Sequence, residues 1–390
     1  MAMQWKNSKK DFVPLARARS SQLRMFWTKH KLGARLRVLF VITAIIMFVR
    51  PLRNNLVPGW PVMFRDLSTF NIIRIYIGDV LINVDRSPYT GSCDDVHRRL
   101  AKVRMPKLEE MHYYDLKEWY SRSAALKSSL SKEDLEVLDD FKPSLTPLEQ
   151  QQLLFSMLST TQALAAFNIS YYISEGSLIG YWRHHGLIPW DDDVDVLFDA
   201  RQWPLVKKVM SCIPGIELYM GWDRMWKVYP SSAALWKGEK QIRFPFVDLF
   251  MFNYDKGHVW PVCMWMKTDA MMPRQWILPT AQGIFEGYPV AIPRQPHKNL
   301  NFHYGDVDSG CYSRIFLRRE RMLVPVIDRT HMPCKPLKKI YPFVQRNKPD
   351  PKTGVVTEEL IEAQRVLSVF NATYHHQHQV EGKESLNHHR

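Results

Sequence analysis

The sequence predicts an α+β domain, a short antiparallel or mixed sheet flanked by helices, preceded by a membrane anchor and a stem. Three observations carry that expectation. Strand-like and helix-like segments mix between Leu145 and Val307 with no regular strand–helix–strand rhythm. A strong helix start, "LTPLEQQQLL", opens the region. Two apolar strands, "DVDVLF" and "FPFVDLFMF", each carry acid into what must be core. With 390 residues, 46% of them hydrophobic, the chain can build one large domain with appendages or two smaller ones.

The N-terminus comes first. Ten Lys and Arg residues face one acid, Asp11, before Val38, which removes nine of the formal +14 and leaves about +5 on the rest. The basicity is therefore a tail (residues 1–36, expected in the cytosol) rather than a nucleic-acid-binding face. "VLFVITAIIMFV", Val38 to Val49, follows between Arg37 and Arg50. Twelve helical residues span only ~18 Å of a ~30 Å hydrocarbon layer. Snorkelling arginines, with Leu36 and Leu52 just outside, extend that span, and thin early-secretory membranes require less. "RPLRNN" offers no small-x-small cleavage site, and the basic region is long for a signal peptide. Residues 37–50 are thus expected to be an uncleaved signal anchor, the alternative being a buried core helix. The charge asymmetry places the tail in the cytosol and the bulk of the chain in the lumen, and a single-pass type II protein of the Golgi or endoplasmic reticulum membrane is expected.

All five cysteines lie after this segment, where disulfides persist, and five being odd, one is free or pairs with another chain. No C-x-x-C pair is present, which argues against zinc. In that compartment the sequons Asn168-Ile-Ser and Asn371-Ala-Thr are glycan acceptors; Asn371 is the better candidate, because Asn168 borders an expected core strand.

Residues 51–140 read as a stem or small accessory region. "FNIIRIYIGDVLINVD" alternates as a small sheet does, and "PKLEEMHYYDLKEWYSRSAALKSSLSKEDLEVLDD" is charged and helical. The main domain, 141–345, opens with Thr146 as N-cap, Pro147 as first helical residue and Glu149 as capping-box partner. Leu153, Leu154, Met157, Leu158, Leu164 and Ala165 then share one helical stripe. "ISYYIS" is a strand, Gly176-Ser177 a tight turn into the short helix "LIGYWRHH", and "GLIPW" ends that helix. Residues 346–390 turn polar and are expected to form a mobile tail, its histidines solvated rather than metal-bound.

The chemistry concentrates in "WDDDVDVLFD". On a strand, Asp193 and Asp195 point to one side with Cα atoms ~6.6 Å apart. Two charges at that distance repel by ~2.5 kcal/mol at an effective dielectric near 20. Such a pair set against Val194, Val196 and Leu197 is not kept for stability. Either one acid is protonated, as in a carboxylate dyad, or, more simply, a divalent cation lies between them, Mg²⁺ or Mn²⁺ suiting hard oxygen ligands. Asp191 is a further candidate ligand and Asp192 is read as solvated. Asp248, from a neighbouring strand, completes a triad. Gly176 and Ser177 offer backbone N–H groups at a helix start, and Arg183, His184 and, more weakly, Lys227 are candidate phosphate contacts.

Taken together, "GSLIGYWRHHGLIPWDDDVDV", "FVDLFMF" and "WILPTAQGIFEGYPVAIPRQPHKNLNFHYGDV" resemble the LicD family, which includes bacterial phosphocholine transferases, fukutin and fukutin-related protein. The resemblance covers about Leu145 to Val307. It implies a nucleotidyltransferase-like fold and transfer of a phosphorylated alcohol, of phosphocholine or ribitol-phosphate type, from a CDP-linked donor to a hydroxyl of a glycan or glycoprotein. In that reading Gly176 and Ser177 border the nucleotide phosphates, Asp193 and Asp195 ligate metal with help from Asp191, and Asp248 is a third ligand or the base that takes the acceptor proton. Two other classes remain open: a nucleotide-sugar glycosyltransferase using the D-x-D, and a non-catalytic glycan-binding or chaperone module of the same fold.

Overall fold

A computed structural model describes residues 62–222 and 224–373. The basic tail, the apolar stretch 37–50 and the histidine-rich end lie outside the described residues, and among those described no helix is long and apolar enough to cross a membrane. The chain divides into two compact units at Tyr76 and Ile77. In the first, the described residues form a helix at Val62–Asp66 and the start of helix α1, Thr69–Val80, which runs across the boundary.

Helix α1 corrects the expectation of a sheet in "FNIIRIYIGDVLINVD". Ile72, Ile75 and Asp79 are its buried positions, spaced three and four apart as one face of a helix requires. The β-branched composition favours strands, but the burial period decides. Asp79 is held by Trp260 Nε1 at 2.9 Å, Asn253 Nδ2 at 3.1 Å and Lys267.

In the second unit, helix α2 (Asp94–Leu100) and helix α3 (Leu116–Leu126) precede the long helix α4, Pro147–Ala166. Its start is the expected capping box: Thr146 Oγ1 accepts from the Glu149 N–H, and Glu149 Oε2 accepts from the Thr146 N–H at 2.8 Å. The sheet follows as β1 (Tyr171–Ile173), helix α5 (Glu175–His184), β2 (Val194–Asp199), helix α6 (Trp203–Ser211), β3 (Ile216–Trp222), β4 (Met225–Pro230), β5 (Val247–Tyr254), β6 (His258–Pro261) and β7 (Met272–Pro273). Strand order is β1-β2-β5-β4-β3, with β6 pairing the end of β5 and β7 pairing β6. Only β2 and β5 run parallel; the rest pair antiparallel, so the sheet is mixed and the architecture α+β, as expected.

The two faces of this sheet differ. Val194, Val196 and Phe198 of β2, with Val247, Leu249 and Met251 of β5, pack with α4 residues Leu153, Leu154, Met157 and Leu158 in the main core. The opposite face is apolar at Leu197, Phe250 and Phe252 and acidic at Asp195 and Asp248. Period-two alternation thus puts the acids on the side away from the long helix.

Beyond the sheet lie a hairpin, β8 (Ala281–Phe285) with β9 (Tyr288–Ile292), and helix α7, Pro296–Tyr304. Two further hairpin-like pairings nest in one another: β10 (Gly310–Tyr312) pairs with β13 (His331–Pro333), enclosing β11 (Phe316–Leu317) and β12 (Met322–Leu323). Disulfides join Cys93 to Cys212 and Cys311 to Cys334, the second beside the β10–β13 pairing; Cys263 is buried and unbonded.

The expectation of a mobile tail from 346 on is corrected for residues 355–373. Strands β14 (Phe343–Arg346), β15 (Val355–Glu362) and β16 (Arg365–Thr373) form a three-stranded antiparallel sheet. Polar composition favours disorder, yet one buried carboxylate docks the sheet. Glu358, fully buried, accepts from Arg346 Nε at 2.7 Å and lies 2.8 Å from His185 Nε2. Arg346 also donates to the Trp182 carbonyl and stacks 3.5 Å over the Trp182 ring. This network grips the C-terminal end of α5. Glu358→Ala is expected to destabilise the fold by about 3–5 kcal/mol, because it strands a largely buried guanidinium, measured by chemical denaturation; a change under about 1 kcal/mol contradicts the docking role.

Candidate active site

Register builds the site. In the parallel pair, Asp195 lies opposite Asp248; in the antiparallel pair, Asp248 lies opposite Lys227. Residues in register on adjacent strands share a face, so these three side chains meet on the sheet. Asp193, two residues before Asp195, joins them at the strand's entry. One carboxylate oxygen each from Asp193, Asp195 and Asp248 can be chosen so that all lie within 4.8 Å of one another, and the same holds for Asp191, Asp192 and Asp193.

Helix α5 begins beside this cluster. Its N-terminal turn is stitched to β2 by two bonds: the Asp195 N–H donates to Ser177 Oγ at 2.8 Å, and the Ser174 N–H donates to the Asp195 carbonyl at 3.2 Å. Gly176 and Ser177 sit inside the first helical turn rather than in a separate bend. A Cβ at Gly176 would lie 2.8 Å from Asp191 Oδ2, so glycine there lets a carboxylate lie against the helix start. Asp191 is anchored through its carbonyl, which accepts from Ser144 Oγ at 2.6 Å.

Burial makes the cluster electrostatically expensive. Desolvation, then the charge of Asp193, push the Asp195 carboxyl well above the usual range; desolvation, Asp193 and Asp192 do the same to Asp191. Asp192 rises to about 7, chiefly through burial, with Arg314 and the Arg318 N–H opposing. Asp192 is 3% exposed, which corrects its reading as solvated. Its Oδ2 accepts from the Arg318 N–H at 3.0 Å, and its Oδ1 has no partner among the described residues.

Two cations answer this charge. Lys227, 2% exposed, sets its ammonium 2.5 Å from Asp248 Oδ1 and 3.5 Å over the Phe246 ring. Burial lowers its pKa and Asp248 opposes the shift. Lys227 therefore neutralises the third acid, a role distinct from the expected phosphate contact. Arg318 comes from the turn between β11 and β12. Its Nε lies 2.7 Å from Asp193 Oδ2, its Nη2 pairs with the same oxygen, and Nη2 is 3.8 Å from Asp248 Oδ2. Burial opposes its charge, but Asp193, Asp248 and Asp195 outweigh that and raise its pKa.

The structure does not bring Arg183 and His184 to the cluster. Arg183, 6% exposed, donates to the carbonyls of Val307 and Gly310, both at 2.6 Å. His184 Nδ1 lies 2.7 Å from the Pro342 carbonyl, and burial lowers its pKa to about 3, so it is neutral. Both side chains lash the end of α5 to later segments. The two sequon asparagines, Asn168 between α4 and β1 and Asn371 on β16, are exposed, and Asn371 Oδ1 accepts from Thr357 Oγ1 at 3.1 Å.

Sequence reasoning missed Arg318 and Arg314. Both lie more than a hundred residues beyond the aspartates of β2, in "SRIFLRRERML", and the signal available was four arginines within eight residues (Arg314, Arg318, Arg319, Arg321).

The site is thus a buried acid cluster on a mixed sheet, faced by a helix start and by the cations of Lys227 and Arg318. Residues 168–295 match the family profile described as LicD/FKTN/FKRP, nucleotidyltransferase domain, so the chain carries a domain of that family. Lipopolysaccharide cholinephosphotransferase LicD of Haemophilus influenzae is 49% identical over 60 residues, 15% of this chain and 23% of that protein. An uncharacterised protein of Rickettsia prowazekii is 48% identical over 161 residues, 39% of this chain and 53% of that one. The chain thus spans about a quarter to a half of these relatives. The crystal structure of the lincosamide antibiotic adenylyltransferase LnuA, lincomycin-bound, covers 41% of this chain and 87% of its own at 16% identity and a TM-score of 0.26, a likeness too slight to argue from.

The raised carboxyls set a pH dependence. The folded state keeps a proton on Asp192 that the unfolded chain releases above about pH 4, so the stability this group contributes is fully present below that and is lost as pH rises through about 7. In EDTA-treated protein, Asp192 alone is expected to remove about 2–3 kcal/mol between about pH 5 and 8, and Asp192→Asn to flatten the slope, read by urea titration at each pH. An unchanged slope contradicts the assignment.

Proposed function

We propose that this protein is a metal-dependent phosphotransferase that moves a phosphorylated alcohol, of phosphocholine or ribitol-phosphate type, from a CDP-linked donor to a hydroxyl of a glycan or glycoprotein. The observation that carries the reading is the convergence of Asp193, Asp195 and Asp248 within 4.8 Å. Their hard oxygens and the raised pKa of Asp195 fit Mg²⁺ or Mn²⁺, with Asp191 as a further ligand at the mouth. When bound, the ion supplies neutralisation of the donor's pyrophosphate oxygens.

The chain's own residues do the rest. Lys227 holds one oxygen of Asp248, which suits Asp248 to the ligand role better than to that of a base. The first turn of α5 would offer backbone N–H groups to the donor's phosphates, and Ser177 fixes that turn to Asp195. In the reaction the acceptor oxygen forms a bond to the transferred phosphorus, the bridging P–O bond to the nucleotide breaks, CMP departs, and the acceptor's proton passes to solvent.

The expected setting is the lumen of the Golgi or endoplasmic reticulum, through the anchor at 37–50. Two disulfides among the described residues suit an oxidising compartment. Asn371 and Asn168 are then glycan acceptors.

Purified protein with Mn²⁺ is expected to release CMP from a CDP-alcohol, and to release neither UDP from UDP-sugars nor GDP from GDP-sugars, with the modified acceptor followed by mass spectrometry. Turnover of nucleotide sugars alone would replace this reading with a glycosyltransferase. Asp195→Asn and Asp248→Asn are each expected to lower kcat at least about 10²-fold; activity within about tenfold of the parent contradicts their role.

A further inference from the structure

Arg318 occupies an unusual position. Its backbone is tethered on both sides: its N–H donates to Asp192 Oδ2 at 3.0 Å, and its carbonyl accepts from Trp236 Nε1 at 2.7 Å. Neighbours on the same turn are tied down too, Arg319 to Glu149 and Arg321 to Glu239 at 2.8 Å. The turn is therefore pinned beside the acid cluster, and the Arg318 side chain, 28% exposed, is the part that reaches the carboxylates. It contacts Asp193 and approaches Asp248, two of the three acids that would hold the ion.

We infer that Arg318 takes the ion's place among the carboxylates and, when the ion binds, swings to the donor's pyrophosphate. This rests on the phosphotransferase reading above. A guanidinium and a divalent cation cannot share Asp193 and Asp248 without strong repulsion at this separation. Once displaced, the guanidinium still hangs from a fixed backbone beside the cluster, where its planar donors match phosphate oxygens. The same residue then competes with the ion alone and assists the ion–nucleotide pair. A purely structural ion pair predicts no such opposition of effects.

The test is calorimetric titration of the full-length protein with Mn²⁺ alone, then with CDP at saturating Mn²⁺. Arg318→Gln is expected to bind Mn²⁺ about tenfold more tightly and CDP about tenfold more weakly, since one charge-assisted contact is lost in each state. Arg319→Gln, on the same turn but paired with Glu149, is expected to change neither, and near-ultraviolet circular dichroism checks folding. Arg318→Lys keeps the charge and is expected to hold Mn²⁺ affinity near the parent's. Unchanged or weaker Mn²⁺ binding in Arg318→Gln, or unchanged CDP binding, overturns the inference while leaving the phosphotransferase reading standing. Failure of the parent protein to bind Mn²⁺ at all overturns both.

Discussion

Like charges forced together on a buried sheet face are the constraint on which the rest of the site depends. Parallel pairing of β2 with β5 sets Asp195 opposite Asp248, and Asp193 joins them from just before the strand. The other face of the same strands is filled by α4, so the acids cannot turn away without abandoning the core. Their repulsion is met by the cations of Lys227 and Arg318, and burial raises the carboxyls of Asp195 and Asp191. A divalent ion would replace the mobile part of that compensation.

Around this centre, the remaining architecture acts as bracing. Helix α5 is held at its start by Ser174 and Ser177 and at its end by Arg183, His184 and the Glu358 network. Its N-terminal turn is thereby fixed against Asp191 and Asp195. The C-terminal sheet, remote in sequence, thus contributes rigidity to the mouth through a buried carboxylate rather than through chemistry of its own.

Local signals are legible in the sequence and long-range ones are not. The capping box at Thr146, the D-x-D strand and the acid-bearing strand at Asp248 are written in short stretches, because capping and alternation are local rules. Arg183 and His184 read as phosphate contacts because they sit next to the aspartates in sequence, yet helical rotation turns them toward Val307, Gly310 and Pro342. Arg318 is the reverse case, distant in sequence and adjacent in space. In the segment around Ile72 and Ile75, composition points to strand while the spacing of buried positions matches a helix. In residues 355–373, polarity conceals a sheet whose decisive contact is one glutamate.

The most direct test of the account is anomalous diffraction from crystals grown with Mn²⁺ and CDP. The account predicts a manganese peak about 2.0–2.2 Å from carboxylate oxygens of Asp193, Asp195 and Asp248. A peak elsewhere, or none while Arg318 stays on Asp193, would contradict it.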